Sequence, residues 1–138
     1  MADKIQLEIV TPKGAVVDEA VDIVTAPGVD GEFGVLANHA PMLSTIRIGL
    51  LTYRQGSDEH HMMVSGGFCQ VAANKATFLV ETAELGHDID IDRALQARER
   101  AEKRLAAARR KEENINIARA EAALERALAR IKAHQKKR

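Results

Sequence analysis

The chain has a single cysteine, Cys69, so it closes no disulfide within itself, and a reducing cytoplasm is the simple reading. Aromatic residues make up only 3% of it, so any core is aliphatic. No apolar run approaches the roughly 18 residues of a membrane span. The first residues, "MADKIQLEIVTPKG", pass directly into strand-like alternation and do not resemble a secretory signal. Proline and glycine are missing from one part only. All 3 prolines lie at or before Pro41, and all 9 glycines at or before Gly86. Glycine and proline turns are therefore confined to residues 1–86, and residues 87–138 hold neither residue.

What is present suffices for a folded protein. The 138 residues are 46% hydrophobic, which fits one domain, or one small domain with an appendage. The net charge of zero hides an asymmetry. Residues 1–86 carry 5 Lys and Arg against 11 Asp and Glu, whereas residues 87–138 carry 15 against 9. The character changes within "HDIDIDRALQARERAEKRL", His87 to Leu105.

Before that boundary the chain reads as strands. In "KIQLEIV", Ile5, Leu7 and Ile9 alternate onto one face. "AVVDEAVDIVTA", "GEFGVL", "MLSTIRIGLLTYR", "HHMMVSGGFCQVAA" and "KATFLVETAEL" are further candidate strands. "TPKG", "APGVDG", "RQGSDE" and "AANK" punctuate them. Many short strands at short intervals predict a sandwich or barrel. In this setting Cys69 is a small core residue rather than a nucleophile.

After the boundary the pattern predicts two helices. Asp90 is a good N-cap, with Asp92 in the first turn, where the helix dipole favours acid. Ala94, Ala101, Leu105 and Ala108 form one stripe. "KEENIN" interrupts it, and Asn114 or Asn116 can cap a second helix. Ile117, Ala120, Leu124, Ala127 and Ile131 then make an apolar seam. A short break between long helices predicts an antiparallel hairpin, each arm on the order of 25–30 Å long at about 1.5 Å per residue. Alanine seams permit close approach but bury little area, so the hairpin is marginal alone and able to rearrange.

The arginines follow the same period. Arg93, Arg100 and Arg104 lie within about 40° of one another at 100° per residue, and so do Arg119, Arg126 and Arg130. Antiparallel pairing sets Arg93 and Arg100 against Arg126 and Arg130 at one end. Such a gathering repels itself unless an anion sits inside it, and guanidinium forks suit phosphate oxygens. On an arbitrary helix the same charges form a solvated face laced with pairs such as Glu99–Lys103.

A resemblance bears on that choice. "GEFGVLANHAPMLSTIRIGLL" and "VSGGF" in the first part, and "IDIDRA" (Ile89 to Ala94) and "RAEAALERALARI" in the second, follow one another in a characteristic order. Together they resemble the epsilon subunit of the bacterial F-type ATP synthase over essentially the whole chain. "IDIDRA" is similar to the Ile/Leu-Asp-x-x-Arg-Ala motif of epsilon subunits that bind ATP. The resemblance implies an α+β fold: an N-terminal antiparallel β-sandwich, residues 1–86, followed by a C-terminal antiparallel two-helix hairpin, residues 87–138.

It also implies a non-catalytic rotor subunit of the central stalk. The sandwich would bind the gamma subunit and rest on the c-ring. The hairpin would fold against the sandwich or extend along gamma into the catalytic head. Extended, its basic face would meet acidic loops of the beta subunits, beside alpha, and inhibit ATP hydrolysis. ATP, with or without magnesium, would favour the folded, non-inhibiting form as a regulatory ligand rather than a catalytic cofactor. The location implied is the cytoplasmic face of the bacterial plasma membrane, as a peripheral component.

Transferred by motif position, the ATP site would comprise Glu84, Ile89, Asp90, Arg93, Ala94, Arg100, Arg126 and Arg130. Arg100, Arg126 and Arg130 would hold phosphates, and Arg93 would help fasten the helices. Glu84, Ile89, Asp90 and Ala94 would line the nucleoside end. The c-ring contact would fall on Asp30, Glu32 and His39 in one loop. "ANHAP" departs from relatives that carry glycine or proline before the histidine, and "GGFCQV" from those with leucine-glutamate after the aromatic.

Two other classes of function stay open at this stage. A nucleic-acid-binding tail would suit the basic half, but that half has no aromatic residue for base stacking and interleaves 9 acids. An enzyme would need a catalytic set. "GVDGEFG" lacks the Gly-Lys-Ser/Thr ending of a phosphate-cradling loop. His60–His61 has no metal-ligand spacing and reads as a solvated strand. His87 and His134 read as exposed, and Ser65 as a bend before Gly66–Gly67 rather than a nucleophile.

Overall fold

The computed structural model describes residues 3–111 and 114–136. The period-two pattern is obeyed at once: Ile5, Leu7 and Ile9 are fully buried along β1 (Ile5–Thr11). It is followed by β2 (Gly14–Val21), β3 (Ile23–Gly28), β4 (Gly31–Leu36), β5 (Met42–Ile46), β6 (Gly49–Gln55), β7 (Asp58–Val64), β8 (Gly67–Ala72), β9 (Lys75–Val80) and β10 (Ala83–Leu85). Their order along the sheet is β10-β7-β6-β3-β5-β8-β9-β1-β2, with β4 on the free edge of β3. The link from β3 to β5 is the single pair Gly28–Ile46, and the sheet folds over at that point. One layer is β4-β3-β6-β7-β10 and the other β5-β8-β9-β1-β2. Between them lies one aliphatic core, including Ile5, Leu7, Val24, Leu51, Met62 and Phe78. The sandwich is antiparallel except for one parallel ladder, β1 with β9.

Four runs that read as single strands each divide in two. The breaks fall at Asp22, at Arg47–Ile48, at Ser65–Gly66 and at Glu81–Thr82. Each is a crossing from one layer to the other. A chain that changes layers keeps its general direction, so it needs no proline or reversing turn, and hydrophobicity carries on through it. Local contacts secure the corners instead. The Asp22 carboxylate accepts from the Gly56 amide at 2.6 Å and from Lys4 Nζ at 3.0 Å. The Gly56 bond first and Lys4 second hold its pKa below the ordinary carboxylate value.

Cys69 is fully buried, and burial pushes its thiol up to about 12, so it is an inert core residue as expected. His61 is not solvated. Its side chain is 8% exposed, bonded to the Thr52 hydroxyl and facing Glu59. His134 is half-buried rather than exposed, whereas His87 is exposed. Both differences arise because a helix lies across β7, which no pattern within the strand reveals.

That helix belongs to the hairpin. Following a short 3₁₀ turn (Gly86–Asp88), α1 runs Ile91–Arg109 and α2 runs Ile117–Gln135. Asp90 caps α1 by accepting from the Arg93 amide, and Asn116 caps α2 by accepting from the Arg119 amide, both at 3.1 Å. Asn116→Ala should cost the hairpin about 1 kcal/mol. Amide exchange in the first turn of α2 should quicken about fivefold, with the sandwich strands unchanged.

Ala94, Ala101 and Leu105 of α1, and Ala120, Ala127 and Ile131 of α2, are buried along the seam. Ile117 is 49% exposed, so contact loosens toward the turn. A second apolar face of α2, Ala129 and Ala133, packs with Met63, Ile89 and Ala94, flanked by Ile48 and Leu50. The hairpin is thus folded down: α2 rests on β6, β7 and β10, and α1 packs chiefly on α2. Among the described residues no helix is long and apolar enough to cross a membrane.

Candidate functional site

The junction of the three parts forms a cavity of about 450 Å³. Glu84 of β10, Asp88 and Ile89 of the connecting turn, Asp90, Arg93, Ala94, Ala97 and Arg100 of α1, and Arg130 of α2 line it. Each position has a local cause. The register of β10 on β7 sets Glu84 opposite Met63, beneath α2. Arg93 and Arg100 stand two turns apart on one face of α1. Small side chains at Ala94 and Ala97 leave the space between them open.

Seven of the eight residues assigned to a nucleotide from the sequence meet here: Glu84, Ile89, Asp90, Arg93, Ala94, Arg100 and Arg130. Arg126 does not. It is one turn, about 6 Å, from Arg130 along α2. It borders a different groove, over the layer crossings at Ser65–Gly66 and Glu81–Thr82. Arg104 and Arg119, which share the arginine faces in projection, border a third cavity beside Asn116 at the far end of the hairpin. Asp88 and Ala97 line the same cavity and are not among the residues assigned from the sequence. Ala97 lies between Arg93 and Arg100 on the same helix, and Asp88 directly precedes the Ile89–Ala94 motif, so both were findable.

The electrostatics of the cavity are uneven. Arg130 is held by Glu84: its Nε donates to both carboxylate oxygens at 3.1 and 3.3 Å, and Nη2 donates to Oε1 at 2.9 Å. This pair ties α2 to β10 and neutralises one guanidinium. The side chains of Arg93 and Arg100 have no hydrogen bond or ion pair among the described residues. Asp90 has one oxygen engaged as the helix cap, and Asp88 accepts from His87 at 3.0 Å. The expected Glu99–Lys103 pair forms on the solvent face of α1 at 3.1 Å. The inner arginines therefore leave two free forks pointing at an open, part-polar space, which can receive a polyanion.

The residues assigned to a ring contact do not form one loop. Asp30 sits in the turn between β3 and β4, and Glu32 is the second residue of β4. His39 lies beyond the opposite end of that strand, which runs on the order of 13 Å from Glu32 to Leu36. Asn38 before it adopts a left-handed conformation (φ 62°) and donates its amide to Asn74 Oδ1 at 2.8 Å. An asparagine tolerates that conformation well, so "ANHAP" forms its turn without glycine. Among the described residues no cluster of histidine, cysteine and acid is arranged to hold a metal.

Comparisons with known proteins agree along the whole chain. Residues 4–86 match the family model described as ATP synthase, Delta/Epsilon chain, beta-sandwich domain. Residues 87–135 match the model described as ATP synthase, Delta/Epsilon chain, long alpha-helix domain. The ATP synthase epsilon chain of Nitratidesulfovibrio vulgaris is 53% identical over 132 residues, covering 96% of each chain. That of Syntrophobacter fumaroxidans is 48% identical over 136 residues, covering 99% of each. In fold, the chain is similar to one in the mitochondrial ATP synthase of Euglena gracilis, with a TM-score of 0.81 at 23% identity over 96% of this chain and 81% of that one.

Proposed function

The chain belongs to the ATP synthase delta/epsilon chain family, and from that premise we propose that it is a non-catalytic rotor subunit whose hairpin senses ATP. In this reading the sandwich joins gamma to the c-ring, with Asp30, Glu32 and His39 facing the ring. The complex sits at the cytoplasmic face of the plasma membrane, and the chain attaches only through its partners. The hairpin rests folded as described, or opens along gamma toward beta and alpha and restrains ATP hydrolysis.

One observation carries the sensing role: the unpaired Arg93 and Arg100 of α1 and the Glu84-bound Arg130 of α2 converge on one cavity. A ligand shifts a conformational equilibrium only through different affinities for the two states. Folded, the two helices and β10 present these groups together; opened, they part. A polyphosphate spanning them would favour the folded form through charge-assisted bonds of about 1.5–3 kcal/mol each. Arg93 and Arg100, which have no side-chain partner among the described residues, would take most of the phosphate charge. Arg130 would share its fork with Glu84. Ile89 and Ala94 would supply an apolar wall to the base, and the second oxygen of Asp90 an acceptor.

Calorimetry with MgATP tests this. Wild-type chain should bind, and Arg100→Ala should weaken binding at least tenfold, about 1.4 kcal/mol. Arg126→Ala should weaken it less, about threefold, because Arg126 must leave its groove to reach the nucleotide. Absence of binding heat with wild type would remove the sensor and leave the stalk role intact. The isolated chain should show no sustained ATP turnover.

A further inference from the structure

The groove that holds Arg126 has its own chemistry. Its volume is about 610 Å³, and its walls include Ser65, Gly66, Gly67, Glu81, Thr82 and Arg126. Arg126 has no hydrogen bond or ion pair among the described residues, although Glu81 borders the same space. Ser65 is 6% exposed, and its Oγ has no partner among the described residues. The Ser65 amide is spent on the Thr82 carbonyl, and the Gly66 carbonyl accepts from the Glu81 amide. Those two bonds stitch the layer crossings together and form the floor. Side chains are absent from that floor for a steric reason at Gly67, where a β-carbon would overlap the Leu79 carbonyl oxygen. The result is a shallow, open groove of mixed lining, with Ile46, Ile48 and Phe68 on its apolar side and Thr82, Glu81 and the guanidinium of Arg126, which has no partner among the described residues, on its polar side.

We propose that this groove is a second oxyanion site, separate from the nucleotide cavity, and that it takes a protonated phosphate group: inorganic phosphate or a phosphomonoester. The guanidinium fork of Arg126 supplies the charge and the planar geometry. Glu81 supplies discrimination. A carboxylate repels an anion that is only an acceptor, such as sulfate, but accepts a hydrogen bond from an anion that still carries a proton. Thr82, which borders the groove, can donate its hydroxyl to a remaining oxygen, whereas the Ser65 hydroxyl lies buried behind the floor. Because Arg126 is on α2 and the other groups are on the sandwich, an ion bound here ties the hairpin to the sandwich without any contribution from α1. The site does not depend on the nucleotide reading.

The test is an amide-resolved NMR titration of the full chain at constant ionic strength, with inorganic phosphate, glycerol phosphate and sulfate. Phosphate should give saturable shifts at the Gly66, Gly67 and Thr82 amides. Arg126→Gln should weaken it about tenfold, Arg100→Gln should leave it within about twofold, and sulfate should bind about fivefold more weakly than phosphate. Glu81→Gln should abolish the preference over sulfate. This second variant lies on the solvent side and keeps the inference testable should Arg126→Gln disturb docking. Tighter binding of glycerol phosphate assigns the site to a phosphomonoester, and tighter binding of inorganic phosphate assigns it to the free ion. Unsaturable or absent shifts at these amides, equal loss in Arg100→Gln, or equal binding of sulfate would overturn the proposal.

Discussion

Gly86→Ala should release the folded hairpin from the sandwich. Gly86 is buried in the turn between β10 and α1, and α2 crosses directly over it. A β-carbon there would overlap the Ala133 carbonyl oxygen and lie 3.2 Å from the carbonyl oxygen of His61. Both obstacles are backbone, one in a helix and one in a strand, so neither can move aside as a side-chain tip would. Overpacking of this kind costs about 1–3 kcal/mol. An undocked hairpin escapes the Ala133 clash, which exists only when α2 is docked, whereas the His61 contact lies within the sandwich and is common to both forms. A penalty of about 2 kcal/mol shifts the equilibrium between folded and open hairpin roughly thirtyfold. Spin labels on α2 and β7 should report a longer mean distance, while the strand amides keep their protection. An unchanged distance distribution would show that docking does not depend on close approach at Gly86.

The second large effect concerns Glu84 and Arg130. Most surface ion pairs contribute little, because water screens them and both side chains lose freedom. This pair differs in geometry and position. It is bidentate, its side chains are 33% and 27% exposed, and it joins residues 46 apart in sequence. Charge-assisted bonds are worth about 1.5–3 kcal/mol. Discounted for the remaining exposure, the pair should contribute about 1–2 kcal/mol to docking. Arg130→Ala and Glu84→Ala should each open the hairpin about tenfold. The double variant should be little worse than either alone, which a double-mutant cycle measures. Additive effects would show that the two residues act independently. The variants should also part company toward ATP. Arg130→Ala removes a cation from the cavity and should weaken binding, whereas Glu84→Gln leaves all three guanidiniums in place and frees the one that is engaged.

Several features were legible in the residues alone because their causes are local. Alternation in "KIQLEIV" placed Ile5, Leu7 and Ile9 in the core, and Asp90 and Asn116 cap their helices as their side chains predispose them to. The seam of Ala94, Ala101, Ala120 and Ala127 followed from helical period. The resemblance assigned eight residues to one nucleotide site, and seven of them line a single cavity. The eighth, Arg126, shows the limit of that reasoning. Projection on a helical wheel gives an angle, not the neighbour that the angle will meet.

Composition, period and capping chemistry by themselves determined that a stranded part would end near Gly86 and be followed by two paired helices rich in arginine. These depend on interactions within a few residues, which the chain carries wherever it goes. Only the tertiary structure decided the rest. It set where the strands cross between layers and that His61 would be covered. It brought Glu84 to Arg130, and it sorted the arginines into separate cavities. Each of these depends on how α2 lies across β7 and β10. That placement comes from packing Ala129 and Ala133 against Met63, and from the bare α-carbon of Gly86, residues distant in sequence that meet only when the fold is complete.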